Sequence, residues 1–201
     1  MDWSDKEVLA CFRMPGGFTI TGRTTSIRNV FVAAIIPVIR PRVDEIRTVL
    51  NLLALDPKDL RCCYCGDPAT EWDHLRPLVK DGKPTGYPSS IRNLVPSCGK
   101  CNQSKGKSDW KAWMLGPAPR SPSVRRISNI SARIMRLEQF EAWSKCVPLS
   151  LEAMVPSELW KQYYDLQHDI LQKMKEAQKL AVEVARHIKA GELAAERPKE
   201  S

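Results

Sequence analysis

Cys62-x-x-Cys65 and Cys98-x-x-Cys101, with 32 residues between the two pairs, constrain this chain more than any other feature. A two-residue spacer lets one tight turn offer both sulfurs to the same point. Two such turns complete a tetrahedral all-sulfur shell, the closed ligand set that structural zinc prefers. Both pairs sit among turn residues, with Tyr64 and Gly66 at the first and Gly99-Lys100 at the second. Four reduced cysteines in an apolar core are the plainer alternative, but they do not account for two matched spacings. The chain has seven cysteines, and an odd number excludes a fully paired disulfide framework. Cys11, Cys63 and Cys146 are left over, and Cys63 rivals Cys62 as a ligand.

The surrounding sequence has few large-scale options. A length of 201 residues allows one domain with appendages or two small ones. The longest apolar candidate, Val30 to Ile39, is too short for a membrane span and contains Pro37. The N-terminus has no basic cap and no apolar stretch behind it, so a secretory signal is not expected and a reducing cytoplasm is. The formal charge is +8, and residues 61–112 and 113–149 each carry +4. That central excess suits a polyanion laid across the middle of the chain; a basic surface without a partner is the plainer reading.

Local patterns divide the chain into a mixed, mainly helical segment over 1–60, a cysteine-bearing core over 61–115, a basic helix within 120–147 and a long helix within 150–195. Pro15-Gly16-Gly17 reads as a turn and Phe18 to Thr21 as a short strand. Residues 26–39 are open between helix and strand; as a helix, the segment would be capped by Ser26, bury Phe31, Ile35 and Val38, and be kinked or ended by Pro37. Arg42 to Leu53 reads as an amphipathic helix with Val43, Ile46, Leu50 and Leu53 on one face. Breaks follow at 116–123 and around Val147-Pro148. From Ser157 onward, positions 160, 163, 167, 170, 174, 177, 181, 184 and 188 form a seam of alternating three- and four-residue steps, with the polar Gln167 in it. Such a seam fits a self-pairing coiled coil or a helix folded back on its own domain. The polar tail from Glu196 is expected to fray. His168 and His187 lie off the seam and read as surface or packing residues.

Between the cysteine pairs the chain reads Glu71-Trp72-Asp73-His74-Leu75-Arg76-Pro77, then Asn93-Leu94-Val95-Pro96. Asn102-Gln103-Ser104-Lys105-Gly106-Lys107 follows the last cysteine and opens a helix. Cys-x-x-Cys, Asp-His-x-x-Pro and Asn-Leu-Val-Pro-x-Cys-x-x-Cys-Asn-x-x-Lys-Gly together resemble the HNH nuclease family in its zinc-stapled form. The resemblance covers residues 61 to about 112. It implies an α+β fold in which a ββα-metal hairpin and helix, stapled by a four-cysteine zinc site, is flanked by mainly helical segments.

The same resemblance assigns roles. His74 matches the general base that takes a proton from the attacking water. Asp73 matches a ligand of the catalytic divalent ion, and Asn102 the second ligand. Asn93 matches the middle asparagine that shapes the loop and helps hold the histidine. Asn102, where the family often has histidine, favours a hard ion such as magnesium, or manganese, over zinc. Histidine suits base catalysis because its ordinary pKa of roughly 6.5 leaves it mostly neutral at pH 7. Asp73 and His74 are neighbours on an expected strand, so a local distortion is expected if both approach one phosphate. Arg76, Arg92, Lys100, Lys105 and Lys107 are candidates to hold flanking phosphates of double-stranded DNA. Arg125, Arg126, Arg133 and Arg136 are open between DNA and solvent. A small chain with a pairing helix resembles a homodimeric restriction endonuclease, prokaryotic or phage-encoded. A homing-type, phage or low-specificity nuclease and a non-catalytic zinc-stabilised nucleic-acid-binding module are the alternatives.

Overall fold

The computed structural model describes residues 3–12 and 16–195, with side chains to 191. Part of the expected turn at Pro15 and the tail from Glu196 therefore lie outside the described residues. Helices α1 (Asp5–Cys11), α2 (Thr24–Ile35) and α3 (Val43–Leu53) precede a region of short strands, β1 (Glu71–His74), β2 (Val79–Lys80), β3 (Lys83–Pro84) and β4 (Leu94–Ser97). Helices α4 (Gly99–Lys105), α5 (Trp110–Leu115), α6 (Ile130–Ser144) and α7 (Ser157–Ala195) follow. The architecture is α+β, as the sequence implies. No helix among the described residues is long and apolar enough to cross a membrane.

The chain packs as two compact units, one of residues 28–164 and one drawn from the two ends, up to Ile27 and from Asp165. The larger unit carries the cysteine motifs. Strands β1 and β4 pair antiparallel with Glu71 opposite Ser97, Trp72 opposite Pro96, Asp73 opposite Val95 and His74 opposite Leu94. The register is unbroken, so the expected distortion at Asp73-His74 is absent. Asp73 turns to the buried side and His74 to the half-buried one, as a two-residue period dictates.

One apolar core encloses this hairpin. It includes Tyr64, Val95, Trp110 and Met114, joined by Val49 and Leu53 of α3 and Leu137 and Phe140 of α6. Helix α3 thus buries Val49 and Leu53, while Val43, expected inward, is 65% exposed at the first turn. Its C-cap Ala54 takes a left-handed conformation with its N–H on the carbonyls of Leu50 and Asn51. A second cluster gathers Val32, Ile36 and Leu151 with Leu149 and Trp160. The segment is helical and ends before Pro37, the second of the two outcomes left open there, but its buried line runs through Val32 to Ile36, and Val38 is exposed. Ser26 lies inside this helix, which starts at Thr24 directly after a 3-10 turn over Ile20–Arg23. That turn replaces the expected strand: the Thr19 hydroxyl accepts from the Gly22 N–H and closes the backbone locally.

Helix α7 begins at Ser157 as expected. Trp160 is occupied within the larger unit, and the Tyr163 hydroxyl donates to the Phe31 carbonyl at 2.8 Å. Further along, Gln167 and Leu171 are buried while Ile170, Val184 and Ile188 are exposed. The covered line therefore passes through 171 instead of 170, and the expected seam is partly taken up by the chain itself. His168 and His187 are exposed.

Candidate active site

The Sγ atoms of Cys62, Cys65, Cys98 and Cys101 all lie within 4.8 Å of one another, and all four residues are buried. Cys65 and Cys98 are 3.6 Å apart; sulfurs about 2.3 Å from a shared tetrahedral zinc would be about 3.8 Å apart. The cluster is compatible with a structural zinc site and selects Cys62 over Cys63. The thiols of Cys101 and then Cys65 hydrogen-bond Cys62 and hold it down at about 3. Cys63 is buried outside the group, and burial pushes its thiol up. Two arginines back the knuckles. Arg125 pairs with Asp67 at 2.8 Å and points Nη1 at the Cys101 sulfur, offsetting thiolate charge. Arg133 reaches the carbonyls of Cys62 and Cys63. Both were open between DNA and solvent in sequence; the structure packs them on the staple, whereas Arg126 and Arg136 are exposed.

The staple fixes where α4 leaves the hairpin, and the hairpin sets the remaining residues. Asn93, buried, closes the loop after β1: its Oδ1 accepts from the Arg76 N–H at 2.8 Å, and its Nδ2 donates to the carbonyls of Arg76 and Pro88. Its own carbonyl accepts from the Leu75 N–H. The residue after His74 is thereby tied at the backbone. His74 Nε2 lies 3.0 Å from the Ser89 hydroxyl. Ser89 is in turn gripped by the segment after α2, its N–H on the Pro37 carbonyl and its carbonyl on the Ile39 N–H. Burial, and then the nearby Lys105 ammonium, lower the imidazole to about 4, so the ring is neutral at neutral pH.

Asp73 stands on the opposite face. Its carboxylate accepts from the Tyr64 hydroxyl at 2.6 Å and from Lys105 Nζ at 3.1 and 3.2 Å. Burial raises this carboxyl, while Lys105 and Tyr64 pull it back. Lys105 also donates to the His74 carbonyl at 2.9 Å. Asn102 does not pair with Asp73; its Nδ2 donates to Glu71 Oε2 at 2.6 Å.

Residues 62–108 match the model of the HNH endonuclease family. This segment is an HNH endonuclease domain. Over 99 residues the chain is 29% identical to the CRISPR-associated endonuclease Cas9 of Corynebacterium diphtheriae, a match covering 45% of this chain and 9% of that protein. No solved structure matches the chain.

Within the HNH domain and its flanks, the five phosphate-binding candidates fare differently. Lys100 and Lys107 are exposed, Lys107 beside Asp81 at 2.8 Å. Arg76 pairs with Asp109 and Glu141. Arg92 pairs with Glu45 at 3.0 Å and lies over the Trp143 ring, a packing role that joins α3 to α6. Lys105 is a correction: its side chain has no exposed surface and is spent inside the domain, so it cannot meet a phosphate. Sequence reasoning missed Tyr64, Ser89 and Glu71. Glu71 was findable, because the two-residue period puts positions 71 and 73 on one strand face. Ser89 was not, since its position depends on a backbone clamp from Pro37 and Ile39.

Proposed function

We propose that this chain is a metal-dependent DNA endonuclease that hydrolyses phosphodiester bonds with His74 as general base. The observation carrying the reading is His74 itself, neutral, oriented through Ser89 and tied through its neighbours to Asn93, inside an HNH endonuclease domain. A neutral imidazole accepts a proton from an attacking water, and a water is what a phosphodiester needs as nucleophile. Asn102 and a carboxylate of β1 fit a hard divalent ion, magnesium or manganese, because they offer oxygen ligands beside solvent. Such an ion, when bound, supplies electrophilic stabilisation of phosphate and leaving-group charge. The four cysteines hold a structural zinc, and Lys100 and Lys107 meet flanking phosphates of double-stranded DNA.

Site-specific restriction by a homodimer in a prokaryotic or phage-infected cytoplasm is the finer form of this reading. It draws support from the basic centre of the chain and from Ile170, Val184 and Ile188, which α7 leaves exposed. Two subunits related by a dyad would place two single-strand cutters on opposite strands. Incubating the protein with supercoiled plasmid and magnesium beside a His74→Ala control tests the chemistry. Discrete linear fragments lost in the variant support site-specific cleavage; a smear lost in the variant keeps the nuclease and discards restriction. Salt-dependent DNA binding without cleavage by wild type would favour a non-catalytic module. Light scattering of Ile170→Asp/Val184→Asp reports on dimerisation: a dimer unchanged from wild type rules out this face.

A further inference from the structure

We propose that the cavity between the first cysteine knuckle, the end of α3 and helix α6 binds a phosphate of the DNA backbone through Arg61, Arg133 and Arg136, away from the residues that cut. The proposal rests on the endonuclease reading above and adds a second point at which the protein holds its substrate. The cavity has a volume of about 250 Å3, and its walls include those three arginines beside Cys63 and Gly66. No acidic residue lines it, and neither His74 nor Asp73, Asn93 or Asn102 does. Three guanidiniums around one small space repel one another, and an anion seated among them removes that cost. The arginines come from the two segments, 61–112 and 113–149, that each carry +4.

Arg133 is the fixed member. Its Nη1 reaches the Cys62 and Cys63 carbonyls at 3.4 and 3.5 Å, both long for a hydrogen bond. Its Nε is buried without an acceptor. A guanidinium offers five N–H donors, and the knuckle satisfies this one only in part. Arg61 pairs with Asp59 at 2.6 Å, but both side chains are about half exposed, so the pair is weak and exchangeable. Arg136 is exposed and has no ion pair among the described residues. A phosphate carries acceptor oxygens in several directions and meets such planar forks better than a single carboxylate does. Its place on the protein suits a duplex. Cys63 donates its N–H to the Pro96 carbonyl at 2.9 Å, and Pro96 stands opposite Trp72 of β1. The knuckle therefore runs one strand spacing beyond β4, about 10 Å from β1. That is about three phosphate steps along one DNA strand, so a duplex cut at His74 has other phosphates at this range.

The test is the salt dependence of DNA binding. Zinc-loaded full-length chain is titrated onto a labelled duplex, with magnesium omitted so that nothing is cut, and anisotropy is followed over a range of salt. Arg61→Gln and Arg136→Gln replace side chains at exposed positions, and zinc content and melting temperature are measured on each. Each is expected to flatten the slope of log affinity against log salt by about 0.9 and to weaken binding about eightfold near 0.1 M salt, the effect of one phosphate contact. Arg136→Lys, which keeps the charge, is expected to recover the slope. Lys175→Gln, on the exposed side of α7, is expected to keep the wild-type slope. A wild-type slope in either arginine variant overturns the proposal, and so does an equal loss in Lys175→Gln. Inorganic phosphate against chloride at matched ionic strength separates the two sources of the anion. A melting temperature that phosphate raises in wild type and not in Arg136→Gln, with DNA slopes unchanged, assigns the cavity to free phosphate and overturns the DNA site. Plasmid cleavage with magnesium is scored apart. A wild type that shows the arginine dependence and cuts nothing refutes the endonuclease reading alone. One that cuts while the variants keep its slope refutes this site alone, and one that binds no DNA overturns both.

Discussion

Replacing Lys105 with methionine tests whether the Tyr64–Asp73–Lys105 network holds the hairpin to α4. The two charges lie 3.1 Å apart with almost no solvent contact. Methionine keeps the aliphatic volume and deletes the ammonium, leaving Asp73 buried with Tyr64 as its remaining donor. The variant relieves this by protonating the carboxyl. Holding a group of ordinary pKa near 3.9 protonated at pH 7 costs about 4 kcal/mol at 1.36 kcal/mol per unit. Breaking buried pairs generally costs about 3–5 kcal/mol, so the deficit at pH 7 falls in that range. Against a total stability of about 5–15 kcal/mol it is a large fraction. The pH dependence has a definite sign. The unfolded chain ionises Asp73 near pH 4 and the folded variant does not, so the unfolded state binds fewer protons and the deficit widens as pH rises from there. Burial already raises the wild-type carboxyl, which gives wild type a weaker trend of the same sign. Urea unfolding of zinc-loaded protein at several pH values between roughly 5 and 7.5 measures the difference. A deficit below about 1 kcal/mol, the scale of an exposed pair, or one that does not change with pH, would refute the reasoning. Adding Asp73→Asn to the Lys105→Met variant should recover most of the loss, because the neutral amide still accepts from Tyr64.

Two further predictions concern the staple. Chelation with confirmed metal loss should remove hydrogen-exchange protection from α3 and α6 as well as the hairpin, because the four cysteines share one core with Val49, Leu53, Leu137 and Phe140; protection retained in α3 would contradict this. Gly66→Ala should cost about 1–3 kcal/mol and speed zinc release, since residue 66 has φ +86° and its Cβ would lie 2.5 Å from Arg133 Nη2. An unchanged melting temperature would show that Arg133 moves aside freely.

The sequence read well where chemistry repeats at short spacing. Two Cys-x-x-Cys pairs marked the sulfur cluster because a knuckle is a local turn, and the structure gathers those four sulfurs and leaves Cys63 out. The family resemblance puts Asn93 at the loop, and its side chain bonds that loop's backbone. The start of helix α7 near Ser157 is legible because proline and a long apolar period are local signals. Other readings failed where a local pattern met a tertiary choice. Val38 and Val43 fit helical stripes in sequence, yet stripes several residues wide can rotate to meet a core, and the core took Val32, Ile36 and Val49 instead.

Residue types and spacings by themselves determined the four-sulfur cluster, and the resemblance to the HNH family that the motifs carry implied the fold class and the hairpin, because each depends on contacts within a turn, a strand pair or a helix start. The tertiary structure decided which charges are available. Lys105 reads in sequence as one more surface lysine beside Lys107, yet α4 turns it under β1, where Asp73 and the His74 carbonyl replace its water. Arg92, Arg125 and Arg133 are drawn in by partners 24 to 71 residues distant in the chain. Whether a charge faces solvent, a counter-charge or a metal depends on what the fold lays over it, and a spacing along the chain carries no record of that.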